Sequence, residues 1–298
     1  MTAPRIGADG GEGWQATTSL ATLIEHCQIQ RGHGMKAWMM GMGVMVWTIA
    51  CGWLGYPAIA HAAMPTAATA AIHHPVSTQD PVAQSLFDQG LASFFAFDLE
   101  TAASTFQQAA EQDPALAMAY WGMALASSPD INQAIDPAQE KIAYDAAQQA
   151  LRLAATVPTP ASEQAYIAAL AERYSLDPNA DLLRQMQRYS DRLAALMQQY
   201  PEDPDLATLY AECLMDLQGW ELWSSTQAPL GKAPEIVAVL EAVLAKYPDH
   251  LGANHYYVHA IAGSSQAALA PPHVQKLAPF ADISTHLREV IDQWTAEG

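Results

Sequence analysis

Two histidines four residues apart have the spacing with the clearest chemical content in this sequence. His255 and His259 lie in the segment ANHYYVHA, which is predicted to be helical. Residues at positions i and i+4 share one face of a helix, so their rings can ligate a single metal ion, here zinc or copper. Glu212 and Asp216 repeat this spacing on an earlier helix and are predicted to supply a third ligand. The alternative interpretation is that both histidines hydrogen-bond to neighbouring helices.

Motifs of the common enzyme classes do not occur in the chain. It has no G-x-S-x-G nucleophile elbow, phosphate-binding loop, dinucleotide fingerprint or C-x-x-C pair. Cys213 lies in the segment LYAECLMDL and is predicted to be a small buried residue, not a nucleophile. We therefore expect no catalytic residues and no enzymatic activity.

The chain is strongly acidic. Its 31 Asp and Glu side chains outnumber 13 Lys and Arg side chains, for a formal net charge of −18. Binding to phosphates requires clustered Lys and Arg, so nucleic acid is not expected as a partner.

An apolar segment near the N-terminus has the layout of a signal peptide. Residues 35–62 begin with Lys36, continue through an uncharged run at 37–60 and end in the small-x-small sequence Ala60-His61-Ala62. This order predicts an exported protein, periplasmic or secreted. If the run at 37–60 is not cleaved, it would instead anchor the protein in a membrane.

The segments around this signal divide the rest of the chain. Residues 1–34 are interpreted as a disordered or mis-annotated extension, and Met35 as the alternative start. Residues 63–79 are predicted to be a flexible lead-in with exposed His73 and His74. Residues 80–298 are predicted to form one helical repeat domain.

The positions of small and aromatic residues predict the repeat type. When Pro114 is placed at position 32 of a 34-residue unit, Gly90, Ala102, Phe106 and Ala109 occupy anchor positions of a tetratricopeptide repeat. We therefore predict an all-α fold, a tetratricopeptide-like α-solenoid of antiparallel helix hairpins. No stretch alternates with period two, so no sheet is expected.

Asp-Pro pairs mark several helix starts, because Asp caps the first turn and Pro suits its first position. Pro271-Pro272 is expected to break any helix, and the loop containing Trp220 and Trp223 to be either a flap over the groove or a plug on the core. The predicted helices are 81–96, 99–112, 114–127, 137–156, 160–175, 178–200, 204–217, 233–247, 251–262 and 281–296.

The first helix of each pair is expected to face a concave groove. Aromatic and amide side chains there would suit an extended peptide, because rings give rigid contact area and amides pair with its backbone. The alternative is that these side chains pack between helices. The predicted groove residues are Tyr120, Met123, Tyr210, Asn254 and Tyr257.

Several segments together resemble bacterial exported tetratricopeptide-repeat proteins, whose biochemical function is unassigned. They include HHPVSTQDPVAQSLFDQGLASFFAFDLETAASTFQQAAEQDPALAMAYWGMALA, YPEDPDLATLYAECLMDL and EIVAVLEAVLAKYPDHLGANHYYVHAI. The resemblance covers about residues 73–262 and implies repeat architecture and export. Family members usually have His where this chain has Asp98, and a second His-rich segment where it has LAPFADISTHLREVIDQW, so it looks like a truncated or diverged member.

These patterns lead to two functional hypotheses. The first is an exported tetratricopeptide scaffold that binds a peptide or protein partner in its groove. The second is a metal-binding protein or enzyme that uses the region of His255 and His259. A membrane association is expected only if residues 37–60 remain attached.

Overall fold

The computed structural model describes residues 72–128, 137–177, 179–219 and 221–296, and this part of the chain is helical. No strand occurs in these ranges, where an isolated bridge joins Trp223 and Pro229. The all-α prediction is therefore confirmed. The α-helices are α1 Pro81–Phe95, α2 Leu99–Gln112, α3 Ala117–Ala126, α4 Pro137–Thr156, α5 Ala161–Ala171, α6 Leu182–Gln199, α7 Pro204–Leu217, α8 Ala233–Lys246, α9 Leu251–Ile261, α10 Ala270–Leu277 and α11 Thr285–Ala296.

The predicted extension, the signal segment and the lead-in up to residue 71 lie outside the described residues, as does Trp220. Among the helices that are described, none combines the length and the apolar character that crossing a bilayer requires.

Asp-Pro pairs start two of these helices as expected. The carboxylate of Asp80 accepts two backbone N–H groups of the first turn of α1, and that of Asp203 accepts the N–H of Leu206 in α7. Asp113-Pro114 instead forms a turn, and α3 begins three residues after Pro114, at Ala117. The predicted bounds of α5 and α6 were likewise too long by several residues at their shared connection.

The prediction that Pro271-Pro272 breaks any helix was wrong. Both prolines lie in the first turn of α10, which runs from Ala270 to Leu277. The backbone N–H groups of a first turn have no partner within the helix, so proline loses nothing there and its fixed φ suits the helix.

Phe106 packs where α1, α2 and α3 meet. Its side chain is fully buried, and a Cβ atom added to Gly122 of α3 would lie 2.3 Å from its Cδ1 atom. The same addition at Gly90 of α1 would bring a carbon within 2.8 Å of the ring. Glycine is therefore required on both neighbouring helices because the phenyl ring occupies the space of their side chains.

We predict that Phe106→Ala lowers the free energy of unfolding by about 3–5 kcal/mol, because it removes a fully buried ring and leaves a cavity. Urea unfolding followed by circular dichroism measures this loss. Gln107→Ala, on the exposed face of the same helix, is the control and is expected to change stability by less than about 0.5 kcal/mol. Equal effects of the two substitutions would contradict this packing.

The first helices of successive pairs also contact each other. Helix α1 packs on α3, α3 on α5, and α7 on α9, and α9 packs back on α1. At this last junction Phe95 lies so close to Gly252 that an added Cβ atom would be 2.6 Å from its ring. The two ends of the helical domain therefore meet, and the faces predicted to line an open groove lie against one another.

The loop between α7 and α8 packs on the core. The indole Nε1–H of Trp223 donates a hydrogen bond to the carbonyl oxygen of Ala260 at 2.6 Å, and Leu222 is buried. Of the two arrangements considered from the sequence, a flap over the groove and a plug on the core, these contacts correspond to the plug.

Residues 72–79 also contact the helices, in contrast to the flexible lead-in expected there. Ile72 and Val76 are buried, and the hydroxyl of Ser77 donates to Glu163 of α5 at 2.6 Å. These contacts bring His74 against α1, α5 and α7.

Candidate metal centre

Three imidazole nitrogens converge where α9 and α11 approach the turn after α1. His255 and His259 lie one turn apart on α9, and His286 lies in the first turn of α11. The Nε2 atom of His255 is 3.0 Å from that of His259 and 3.1 Å from that of His286. The Nε2 atoms of His259 and His286 are 3.2 Å apart. The three atoms thus form a nearly equilateral triangle.

The backbone orients one of the three rings. The Nδ1 atom of His255 lies 2.6 Å from the carbonyl oxygen of Phe95, the last residue of α1. A carbonyl oxygen only accepts, so Nδ1 carries the hydrogen, and the Nε2 atom of neutral His255 presents a lone pair to the other two rings. Metal-ligating histidines commonly have such a partner on the second nitrogen.

The three contacts cannot all be hydrogen bonds. In the plane of its ring each Nε2 atom holds either one hydrogen or one lone pair, and a hydrogen bond joins one of each kind. Among three mutually contacting atoms, two must be of the same kind. At least one contact therefore sets two lone pairs or two N–H groups against each other, whatever the protonation of His255, His259 and His286.

A metal ion would remove this conflict, and the triangle has a suitable size. With Zn–N bonds of about 2.0–2.1 Å, two ligands of a tetrahedral site lie about 3.3 Å apart. The observed separations of 3.0–3.2 Å are within a few tenths of an ångström of that value. Three neutral imidazoles are a ligand set that suits zinc, copper, iron or nickel, whereas calcium and magnesium require oxygen ligands.

Phe97 covers the three rings. Its centroid lies 4.7 Å from the ring of His255, 6.0 Å from that of His259 and 5.2 Å from that of His286. The backbone of Phe97 has φ of 60°, which a residue with a side chain rarely adopts. The backbone conformation that holds this aromatic side chain over the histidines therefore has a cost in conformational free energy.

The site is largely shielded from water. His255 is fully buried, His286 is 4% exposed and His259 is half-buried. Burial lowers the local dielectric, which makes the repulsion between two like nitrogen lone pairs or N–H groups more costly. A bound cation that removes this repulsion would stabilise the site correspondingly more.

The side chain that the fold brings to His255 and His259 differs from the third ligand predicted from the sequence. In the described residues, the only group that gathers around His255 and His259 contains His286, and neither Glu212 nor Asp216 belongs to it. A carboxylate oxygen of Asp216 instead lies 3.7 Å from the buried guanidinium of Arg173.

These two carboxylates lie near the charge of Arg173. Burial alone would lower the pKa of Arg173, but the nearby Tyr174, Asp216 and Glu212 outweigh it and the pKa is raised. A buried cation is costly without anionic neighbours, and Asp216 and Glu212 supply the negative charge near Arg173. His286 was missed because 27 residues separate it from His259, and no spacing rule joins two such helices.

Asn254, predicted to line the groove, is fully buried within the structure. Its Nδ2 atom donates to the backbone carbonyl oxygens of Pro248 and His250, and its Oδ1 atom accepts from Nδ1 of His273 at 2.8 Å. Both amide hydrogens thus bond the local backbone, and the fully buried side chain is not accessible to a peptide.

The other predicted groove residues also face protein. Tyr210 and Tyr257 are buried, and their hydroxyls donate to carboxylates of α8. Tyr120 and Met123 are partly buried and pack against the core. The packing alternative therefore describes these side chains better than the groove alternative.

A second group of potential ligands lies at the other end of the first helices. Asp205 accepts from Nδ1 of His74 at 2.8 Å and from Nε2 of His250 at 3.0 Å. The Nδ1 atom of His250 accepts the N–H of Ala253 and caps α9, and its Nε2–H donates to Asp205. His74 is thus half-buried and bound, not exposed as the sequence suggested.

Asp203 completes this second group but is also engaged. Its Oδ1 atom accepts the N–H of Leu206 at 3.1 Å, and its Oδ2 atom accepts the hydroxyl of Tyr166 at 2.8 Å. Donors and acceptors match throughout, unlike in the triangle of histidines. We interpret the group as a hydrogen-bonded network that attaches residues 72–79 to the helices.

A scan against protein-family models finds none that matches this chain, and comparison with curated proteins also returns no match. The assignment of the site therefore depends on its geometry.

The network at Asp205 makes stability depend on pH. Burial alone would lower the pKa of His74, but the hydrogen bond and charge of Asp205, with Asp203 and Asp88 nearby, raise it. Protonated His74 therefore stabilises the fold fully below pH ~6.5, and this contribution is lost as the pH rises through the raised pKa.

We predict that His74→Gln, which keeps a neutral donor, costs on the order of 1 kcal/mol more at pH 6 than at pH 9, because charged hydrogen bonds are stronger by about that amount. Urea unfolding at both pH values measures the difference. His73→Gln is the control, since the side chain of His73 is 61% exposed. A pH-independent cost of His74→Gln would show that the charge of His74 contributes nothing.

Proposed function

We propose that this protein binds one divalent transition-metal ion, preferably zinc, through the Nε2 atoms of His255, His259 and His286. The observation that carries the proposal is the approach of three Nε2 atoms to within 3.2 Å of one another. No arrangement of hydrogens satisfies all three contacts, whereas one cation at the apex above the triangle accepts all three lone pairs. Zinc fits best because the triangle matches one face of a tetrahedron, while Cu²⁺ prefers a square-planar or tetragonal site.

The surroundings of the three rings support the same proposal. The carbonyl oxygen of Phe95 fixes the tautomer of His255 that exposes Nε2, and Phe97 shields the site from bulk water. A hydrogen-bond acceptor on the second nitrogen raises the basicity of a ligating histidine, and an apolar side chain over the site limits the access of water to the ion. The backbone orients His255, His259 lies one turn away on the same helix, and His286 comes from α11. The fold thus brings the three rings together before any ion binds.

Three protein ligands leave a fourth coordination position, which a water molecule or a small exogenous ligand can take. The proposal is therefore metal binding. The expectation of no enzymatic activity stays a prediction.

We also propose that the helix pairs form a tetratricopeptide-like solenoid that functions after export. The packing of Phe106 between the glycines of α1 and α3 supports the repeat assignment. The apolar segment at 37–60 supports export. Binding of a peptide partner stays a prediction, and the burial of Asn254 and Tyr257 argues against their part in it.

Zinc titration of chelator-treated protein tests the metal-binding proposal. We expect one equivalent of zinc per chain by calorimetry and by elemental analysis after dialysis. His259→Gln is the first variant, because His259 is the least buried of the three histidines. Substitution of a residue that hydrogen-bonds to a metal ligand typically lowers metal affinity by about 10–100-fold. Removal of the ligand itself should therefore lower the affinity for zinc by at least about 100-fold. His286→Gln is expected to do the same.

His273→Gln is the matched control. His273 is also half-buried and lies on the neighbouring helix α10, but it hydrogen-bonds to Asn254 and is outside the triangle. The control should bind zinc like the native chain. Binding should also weaken as the pH falls, because protons compete for the same lone pairs. Zinc binding that is absent from the native chain, or that survives in both site variants, would refute the proposal.

A further inference from the structure

The three histidines join parts of the chain that are far apart in sequence. His255 and His259 belong to α9, His286 belongs to α11, and the carbonyl oxygen that orients His255 is that of Phe95 at the end of α1. An ion bound to all three nitrogens would therefore connect the last helix to the structure formed by the first and ninth.

Polar contacts join the start of α11 to the first hairpin. The hydroxyl of Ser284, which precedes α11, donates to the carbonyl oxygen of Ala96 at 2.7 Å and also caps the helix by accepting from the N–H of Leu287. His286 also lies against His255, His259 and Phe97 at this junction. The conflict among the three nitrogens thus lies at the surface where α11 docks.

The apolar face of α11 is small. Leu287 and Val290 are fully buried, but Ile291 and Trp294 are only partly buried, and the remaining face of this twelve-residue helix is largely exposed. A helix of this length is marginal by itself and depends on its packing. Docking of α11 is therefore sensitive to whether the contacts of His286 attract or repel.

We propose that metal binding controls the docking of α11: the ion locks this helix against the turn between α1 and α2, and loss of the ion releases it. The inference depends on the proposed function, since it assigns a structural consequence to the same ion.

The coupling follows from linkage. Undocking of α11 withdraws His286, one of three ligands, so the ion binds the docked state more tightly than the undocked state. A ligand that binds only one of two states shifts their equilibrium by a factor of one plus its free concentration divided by Kd. Because His255 and His259 both stay on α9 when α11 undocks, this factor is an upper bound, and at a free zinc concentration 100 times Kd undocking should become up to about 100-fold rarer.

Phe97 extends this coupling to the first hairpin. Its backbone has φ of 60° and its ring contacts all three histidines. A residue in this conformation persists only while its surroundings hold it there. The turn around Phe97 should therefore become ordered together with α11 when the metal binds.

Amide hydrogen exchange of the full chain, with zinc and with EDTA, tests the inference without requiring a variant. We expect zinc to slow exchange in residues 284–296 and 96–98, by up to about 100-fold at saturation. Peptides from α6 serve as the internal reference and should not change, because this helix contacts neither the site nor α11.

Two variants make the test specific. In His286→Gln, zinc should no longer slow exchange in α11, whereas His273→Gln should respond like the native chain. Circular dichroism of both variants verifies that they remain folded, and the zinc–EDTA comparison of the native chain decides the question if one does not.

The possible failures can be distinguished. If zinc binds to one equivalent but exchange in α11 is unchanged, the inference is refuted and the proposed function stands. If zinc does not bind at all, both are refuted. Equal slowing in every helix would also overturn the inference, because it would indicate general stabilisation instead of docking of α11.

Discussion

The packing of the end of α1 against α9 is the constraint on which the rest of the structure depends. Phe95 fills the space beside Gly252, and its carbonyl oxygen holds the ring of His255. Because one residue provides both contacts, closure of the helical domain and orientation of the candidate ligand cannot be separated. The following turn then presents Phe97 to the histidines in a backbone conformation that the surrounding rings must maintain.

Three polar clusters in the described part of this domain differ in how completely their hydrogen-bond donors, acceptors and charges are paired. Around Asp205 every donor meets an acceptor, and around Arg173 the buried cation faces carboxylates. Networks of this kind fix the relative positions of helices, because leaving any member unpaired in a low dielectric is costly. The triangle of histidines brings together three like groups, which is unfavourable for a structural network and favourable for a cation site.

Much of the helical framework could be predicted from the sequence. Capping residues placed the starts of α1, α2 and α7 correctly because a cap acts within one turn of the chain. The pairing of His255 with His259 was also predictable, since helical periodicity alone puts them on one face. Local rules failed at Pro271-Pro272, where a 3-10 turn at Ala267–Leu269 leads directly into α10, and at the connection between α5 and α6, which is longer than predicted.

The sequence by itself determined the all-α class, the acidic net charge and two of the three histidines of the candidate site, because propensity, charge and periodicity are properties of single residues and their near neighbours in the chain. Only the tertiary structure decided that α9 returns to α1, that the predicted groove residues pack against protein, and that His286, not Glu212 or Asp216, meets His255 and His259. These outcomes depend on which apolar helix surfaces pack against each other. They also depend on the position of buried Arg173, whose charge is balanced by nearby carboxylates. Such choices are made by contacts between residues far apart in the chain, for which no local pattern exists.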